Sequence, residues 1–265
     1  VITEGYFVKY DGVYWAVKGC FHPQGYVVGI PRLYKGEKIK RYNDAMNIVR
    51  RDFPHLLRYV EEIGAEVPLI PLKGSEVLDP FDLKKVTDPK VKYFISLFRH
   101  VGITGSLLYF KGKNFNDIDL LSFDIGNYEI LRELRKAGIT KSLSSFNQGE
   151  VEILNSHDFN LLKRERVLEG IFHDIPYTFK IVECEDFGKV KRVEKFEGKV
   201  TIDKTLKPYS LPVKYLTDTG HVLTSFRTRF TELKEGLELY VDGFLLERDK
   251  FSDIDLDIAR KVEIL

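Results

Sequence analysis

Cysteine, methionine, tryptophan and glutamine are all scarce in this 265-residue chain: two Cys, one Met, one Trp, and Gln only at positions 24 and 148. Two cysteines, Cys20 and Cys184, give neither a disulfide framework nor a zinc-ligand spacing, so both are expected as buried free thiols. No apolar run approaches the roughly 20 residues of a membrane span, and the N-terminus lacks a signal-peptide layout. A cytoplasmic protein without a membrane partner is therefore expected. Neither sign of charge dominates, with 41 Lys and Arg against 40 Asp and Glu, so the total charge alone does not announce a nucleic-acid partner. Few Met and Gln beside abundant Lys and Glu fit a heat-adapted, thermophilic chain.

What is abundant organises the chain. Residues 5–33 are β-rich, and Asp11-Gly12 between two such runs is a hairpin signal. Residues 43–63 have helical spacing interrupted by Pro54, with Gly64 as a stop. The Pro-punctuated stretch VPLIPLKGSEVLDPFDLKKV is expected to be an irregular connection. From about Pro89, helical and strand-like patterns alternate: DIDLLSF as a strand, GNYEILRELRKAG as a helix, GEVEIL as a strand, SHDFNLLKRERVLEG as a helix capped by Ser156, and PYTFKIVE as a strand. Alternation of this kind argues for an α/β unit. After Gly188 the pieces are short and β-rich, as in a small barrel or sandwich. The expected fold class is α+β and multidomain: a β-rich N-terminal region with a helix over 1–86, an α/β core over 87–187, and a small β-barrel-like domain over 188–265.

One stretch carries chemistry. TGSLLYFKGKNFNDIDLLSFD holds Gly105-Ser106, ten intervening residues, and then Asp117-Ile118-Asp119. A glycine permits a positive φ or a close backbone approach, and a serine at a turn offers a hydroxyl and free N–H groups to phosphate. Two aspartates two apart on a strand point to one face while Ile118 and Leu120 pack on the other. Carboxylates about 6.7 Å apart repel by about 2.5 kcal/mol at an effective dielectric of about 20, so a partly buried pair recruits a cation. All-oxygen ligands beside phosphate favour Mg²⁺ or Mn²⁺ over zinc.

The pattern of Gly-Ser, ten residues and Asp-Ile-Asp-Leu resembles the signature of the polymerase-beta-type nucleotidyltransferase superfamily, and the chain is similar to archaeal proteins grouped as predicted nucleotidyltransferases. The resemblance implies an α/β nucleotidyltransferase-like core, nucleoside triphosphate bound at Gly105 and Ser106, and metal held by Asp117 and Asp119. It implies transfer of a nucleotidyl group to an acceptor such as RNA, DNA, a protein or a small molecule. The superfamily adds a third carboxylate on a neighbouring strand; Glu152 is the candidate here, ahead of Glu183, because the later strand presents Lys180 where an acid is expected. The alternative is a nucleic-acid-binding protein whose core is degenerate and non-catalytic.

Further candidates come from charge. Lys163 and Arg166 are three apart on one helix face and suit phosphate neutralisation, or a solvated surface. The basic stretch Arg32, Lys35, Lys38, Lys40 and Arg41 reads as a solvated loop or as an RNA- or DNA-facing patch. SFRTRF, 225–230, reads as a nucleic-acid-binding strand or as any exposed strand. His22 is expected as a turn residue. The C-terminal SDIDLDI repeats the acids without Gly-Ser, and Asp253, Asp255 and Asp257 are expected on a solvated edge or tail.

Overall fold

A computed structural model of the chain describes residues 1–143 and 155–265, with the side chains of Ser156, Phe159, Asn160 and Lys163 excepted. It is mostly β, 41% strand and 21% helix, arranged in three sheets. The first sheet holds β1 Phe7–Tyr10, β2 Val13–Val17, β3 Tyr26–Tyr34, β4 Glu37–Lys38, β5 Leu57–Val60, β6 Ala65–Pro71 and β7 Glu76–Leu78, in the order β5-β6-β3-β2-β1-β7 with β4 on β3. The turn from β1 to β2 is the Asp11-Gly12 pair, both at positive φ (49° and 72°), which matches the twist of a two-residue hairpin.

The second sheet is smaller: β8 Val101–Ile103, β9 Ile118–Ser122, β10 Glu169–Phe172 and β11 Ile175–Ile181, ordered β10-β11-β9-β8. Only β9 and β11 run parallel. The third sheet comprises β12 Val190–Lys207, β13 Val213–Thr217, β14 Val222–Ser225, β15 Glu238–Arg248, β16 Ser252–Asp255 and β17 Lys261–Ile264. Its pairings run β12-β13-β14-β16-β15 and return from β15 to β12, so five strands close on themselves. Helices α1 Tyr42–Asp52, α2 Pro89–Ser96, α3 Gly105–Tyr109, α4 Gly126–Lys136 and α5 Ser156–Glu165 lie between strands.

This overturns the expected α+β class with a nucleotidyltransferase-like α/β core. Local pattern misled in two places. Pro54 ends the helical reading of 43–63 after Asp52, and the residues beyond form β5. The supposedly irregular VPLIPLKGSEVL supplies β6 and β7, because its prolines take positions that the sheet tolerates while Val67, Leu69 and Ile70 are buried. Helix α5 is capped by Asn155, whose side chain accepts from the Asp158 amide, rather than by Ser156. The GEVEIL segment lies outside the described residues.

Packing joins the sheets. Phe7, Ala16 and Ile30 of the first sheet share one apolar cluster with Val101, Leu120 and Phe179 of the second. Leu121 and Val182 on the other side pack with Val200, Tyr215 and Leu256 of the third. The second sheet is therefore held between its two larger neighbours. No helix among the described residues is long and apolar enough to cross a membrane.

Two expectations about polar residues are also corrected. Cys20 and Cys184 form a disulfide with Cα atoms 5.7 Å apart, spanning 164 positions of sequence. The C-terminal acids do not lie on a solvated edge. Asp253 is buried and accepts hydrogen bonds from Arg248 Nε (2.7 Å) and Thr224 Oγ1 (2.7 Å). Asp257 accepts from Ser225 Oγ (2.5 Å) and the Phe226 amide (2.7 Å). Closing so long a loop restricts the unfolded chain by about 5 kcal/mol. Replacing both cysteines by serine is expected to lower urea-unfolding stability by up to that amount; equal stability for parent and variant would show that the bond contributes nothing in solution.

Candidate functional site

The Gly-Ser motif sits where β8 hands over to α3. Thr104 donates its amide to the Asp119 carbonyl (2.9 Å) and its hydroxyl to the Gly5 carbonyl (2.5 Å), so the turn is pinned to the N-terminal segment. Gly105 has φ +60°, and a Cβ there would lie 2.2 Å from Asp119 Oδ2. Both uses of glycine are realised, and the close approach is to a carboxylate of the protein itself. Along β9, Asp119 is the one half-open position, with Ile118 and Leu120–Ser122 buried. Asp117 is exposed in a bend before the strand begins. Burial, with Asp119 beside it, pushes the Tyr109 hydroxyl up to about 12.

Register extends the site across the second sheet. Thr178 of β11 pairs with Asp119, and Glu169 of β10 pairs with Thr178, so the three form one row on the open face. Lys180, two residues beyond Thr178, faces the same way. The first sheet brings Lys18 from the end of β2, Arg32 from β3, and Lys40 just beyond β4; the third brings Arg227 and Arg229 from the turn after β14. Among the described residues, these six cations line a cavity of about 290 Å³ together with three carboxylates, Glu4, Asp119 and Glu169. Glu169 is already paired with Arg166 (2.9 Å), a residue that is 1% exposed.

Glu4 ties the cavity together. Its carboxylate is 1% exposed and accepts from Lys180 Nζ (2.8 Å), Lys18 Nζ (3.3 Å) and the Gly19 amide (2.9 Å). Burial alone would raise its pKa, but the two lysines and the amide more than reverse that and hold it at about 2. Lys18 moves the other way. Burial lowers it first, Glu4 opposes, and Lys180, Arg32 and Arg227 lower it further, to about 8. A lysine lowered by burial and further by three neighbouring cations marks a place where positive groups are gathered.

The expected site residues divide. Gly105 and Asp119 line the cavity; Ser106 and Asp117 do not. Arg166, read as a phosphate ligand on a helix face, is instead buried at the end of α5, where it pairs with Glu169 and donates to the Arg229 carbonyl. Its position after the helix turns it inward, away from the surface that i,i+3 spacing implied. Lys163 lies on α5 with its side chain outside the described set, and Glu152 lies wholly outside it. His22 uses both ring nitrogens in the fold, Nδ1 accepting from the Val28 amide and Nε2 donating to the Gly19 carbonyl, each at 3.0 Å. Among the described residues no three His, Cys, Asp or Glu side chains are grouped to hold a metal ion.

Four of the six cations were visible in sequence as two separate basic stretches; their convergence was not. Glu4, Lys18 and Glu169 carried no local signal at all. No protein-family model matches the chain, and no curated protein or solved structure matches it either.

Two outcomes follow from this geometry. Glu4 has its folded pKa below its ordinary 4.5, so its contribution is complete above about 4.5 and is lost as pH falls toward about 2. Lys18 also has a depressed folded pKa, so stability rises as pH climbs from about 8 toward 10.5. Urea midpoints across pH are expected to show both limbs, with Glu4→Gln flattening the acid limb and Lys18→Met the alkaline one. Unchanged limbs would remove the assignment. Separately, Gly105→Ala is expected to cost about 2 kcal/mol or more, from positive φ and collision with Asp119; a neutral result would show that the turn adjusts freely.

Proposed function

We propose that the chain binds a nucleoside triphosphate, with the phosphates in the cavity where its three sheets meet. The observation that carries this reading is the convergence of Lys18, Arg32, Lys40, Lys180, Arg227 and Arg229 on one concave site. Arginine and lysine heads drawn from separate elements suit a flexible polyanion, since each oxygen finds a donor and the summed field attracts the ligand. The same cations contribute, behind burial as the largest cause, to the lowered proton affinity of Lys18.

Nucleotidyl transfer is a second reading, favoured by one observation. Asp119 presses against Gly105 inside the cavity and stands in a row with Thr178 and Glu169, so an acid faces the place where phosphate would lie. A nucleic-acid acceptor would reach this row through the same positive field.

Sodium tripolyphosphate and ATP are expected to raise the melting temperature in a concentration-dependent and salt-sensitive way. Arg32→Gln with Lys40→Gln is expected to weaken that binding by about tenfold or more, since each lost charge-assisted bond is worth on the order of 1.5 kcal/mol. No shift with either ligand would end the reading. With labelled triphosphates, Mg²⁺ or Mn²⁺ and a panel of acceptors, the transfer reading expects turnover that Asp119→Asn abolishes and Asp253→Asn does not. Binding without turnover leaves a nucleotide-binding protein.

A further inference from the structure

A second cavity of about 420 Å³ adjoins the first, and the two share Glu4, Lys18, Ile30, Tyr42, Phe226 and Arg227 as a common wall. Its character is opposite. Apolar side chains including Phe21, Val28, Val67, Phe187 and Ile258 cover much of it. Among the described residues it is lined by seven carboxyl groups against Lys18, Arg227 and Arg248; burial, with Asp257 and Asp253 beside it, raises the pKa of one of them, Asp255. A phosphate chain would be repelled from this compartment and drawn into its neighbour. Phe21 is a large aromatic left 40% exposed at this cavity, close in sequence to the disulfide of Cys20 and Cys184 that also lines it. Arg227 stands at the shared wall with its guanidinium carbon 5.8 Å from the centre of the Tyr42 ring.

We propose that this second cavity receives the nucleoside of the same ligand whose phosphates occupy the first, with Phe21 as a stacking surface for the base and Asp255 as an acceptor for its N–H or O–H donors. The inference rests on the phosphate-binding reading and adds to it which part of the ligand lies where. Every common base offers a flat π face, and stacking on an aromatic ring tolerates any of them. Asp255 is suited to the polar role because its one hydrogen bond among the described residues, from the Asp257 amide at 2.9 Å, leaves further acceptor capacity on its carboxyl group. Asp253 is engaged by two partners and Asp257 by three, the third being the Arg227 guanidinium at 3.7 Å, and both serve to hold the wall. The two compartments together fall within the volume range of sites for nucleotide-sized ligands.

The test compares sodium tripolyphosphate with ATP and UTP by calorimetric titration of the full chain. Both nucleotides are expected to bind at least about tenfold more tightly than tripolyphosphate, the increment of one stacked base. Phe21→Ala and, independently, Ala65→Trp, which fills the cavity from the edge of β6, are expected to erase that advantage and leave tripolyphosphate affinity unchanged. Retained tripolyphosphate binding also certifies that each variant is folded. If tripolyphosphate binds and the nucleotides bind no better, the second compartment is not a nucleoside site while the phosphate reading stands. An advantage that survives both variants overturns the inference in the same way. If neither tripolyphosphate nor the nucleotides bind, the phosphate reading itself falls, and this inference with it.

Discussion

The Glu4 carboxylate, buried and bonded to two lysines and an amide, is the constraint on which the rest of the site depends. It lies in the segment before β1, yet its partners come from the end of β2 and from β11, so one side chain fixes the N-terminal segment against two sheets. An isolated buried carboxylate is strongly unfavourable, and removing one partner from such a group costs on the order of 3 kcal/mol. The arrangement is stable because the group is satisfied on several sides at once. The same bonds hold Lys18 and Lys180 at the mouth of the cavity, and Glu4 is part of the wall between the two compartments. Structure and site share one anchor.

The sequence disclosed the parts of this arrangement that depend on near neighbours. Gly105 was legible because a glycine before a strand acid has few other uses, and its positive φ and close approach to Asp119 are local facts. Asp119 was legible for the same reason. Asp117 was not, because β9 begins at Ile118 and the alternation that would have aligned the two acids has no strand to act on at 117. The C-terminal Asp-Ile-Asp shows the limit most plainly. Asp253 is buried by Thr224 and Arg248, the first of them 29 positions away, and nothing in SDIDLDI announces those partners. The Cys20–Cys184 bond, 164 positions apart, is invisible for the same cause. Fold class failed where a Pro-rich segment was read as a loop although β6 accommodates Pro68 within it and Pro71 at its end.

The fold explains why a positive cavity forms at all. Each sheet contributes one or a few cations at its margin, and each on its own surface would be solvated and unremarkable in energy. Packing the second sheet between the first and third brings those margins together, so residues placed by three independent patterns meet in one concavity. Aligning them there requires burying apolar faces such as those of Phe7, Leu120 and Leu121, and that burial is the larger driving force. The electrostatic crowding is a minor opposing cost that the core outweighs.

Lys18 records that cost and shows what would relieve it. Its proton affinity is lowered by burial and by Lys180, Arg32 and Arg227, while Glu4 offsets only part of this. A polyanion lying among the same groups would offset the repulsion by the cations: each one that now repels Lys18 would instead share a ligand with it. Binding and protonation at Lys18 would then be linked, and near pH 8 an arriving anion would draw a proton onto the lysine. The strain therefore has a direction. It is smallest in the empty protein at alkaline pH and is relieved at lower pH by a ligand of opposite charge. A surface patch of solvated lysines has no such property, because water screens each charge separately; here burial of Lys18 reduces that screening, and the proposed preference for an anion would follow from the burial that built the fold.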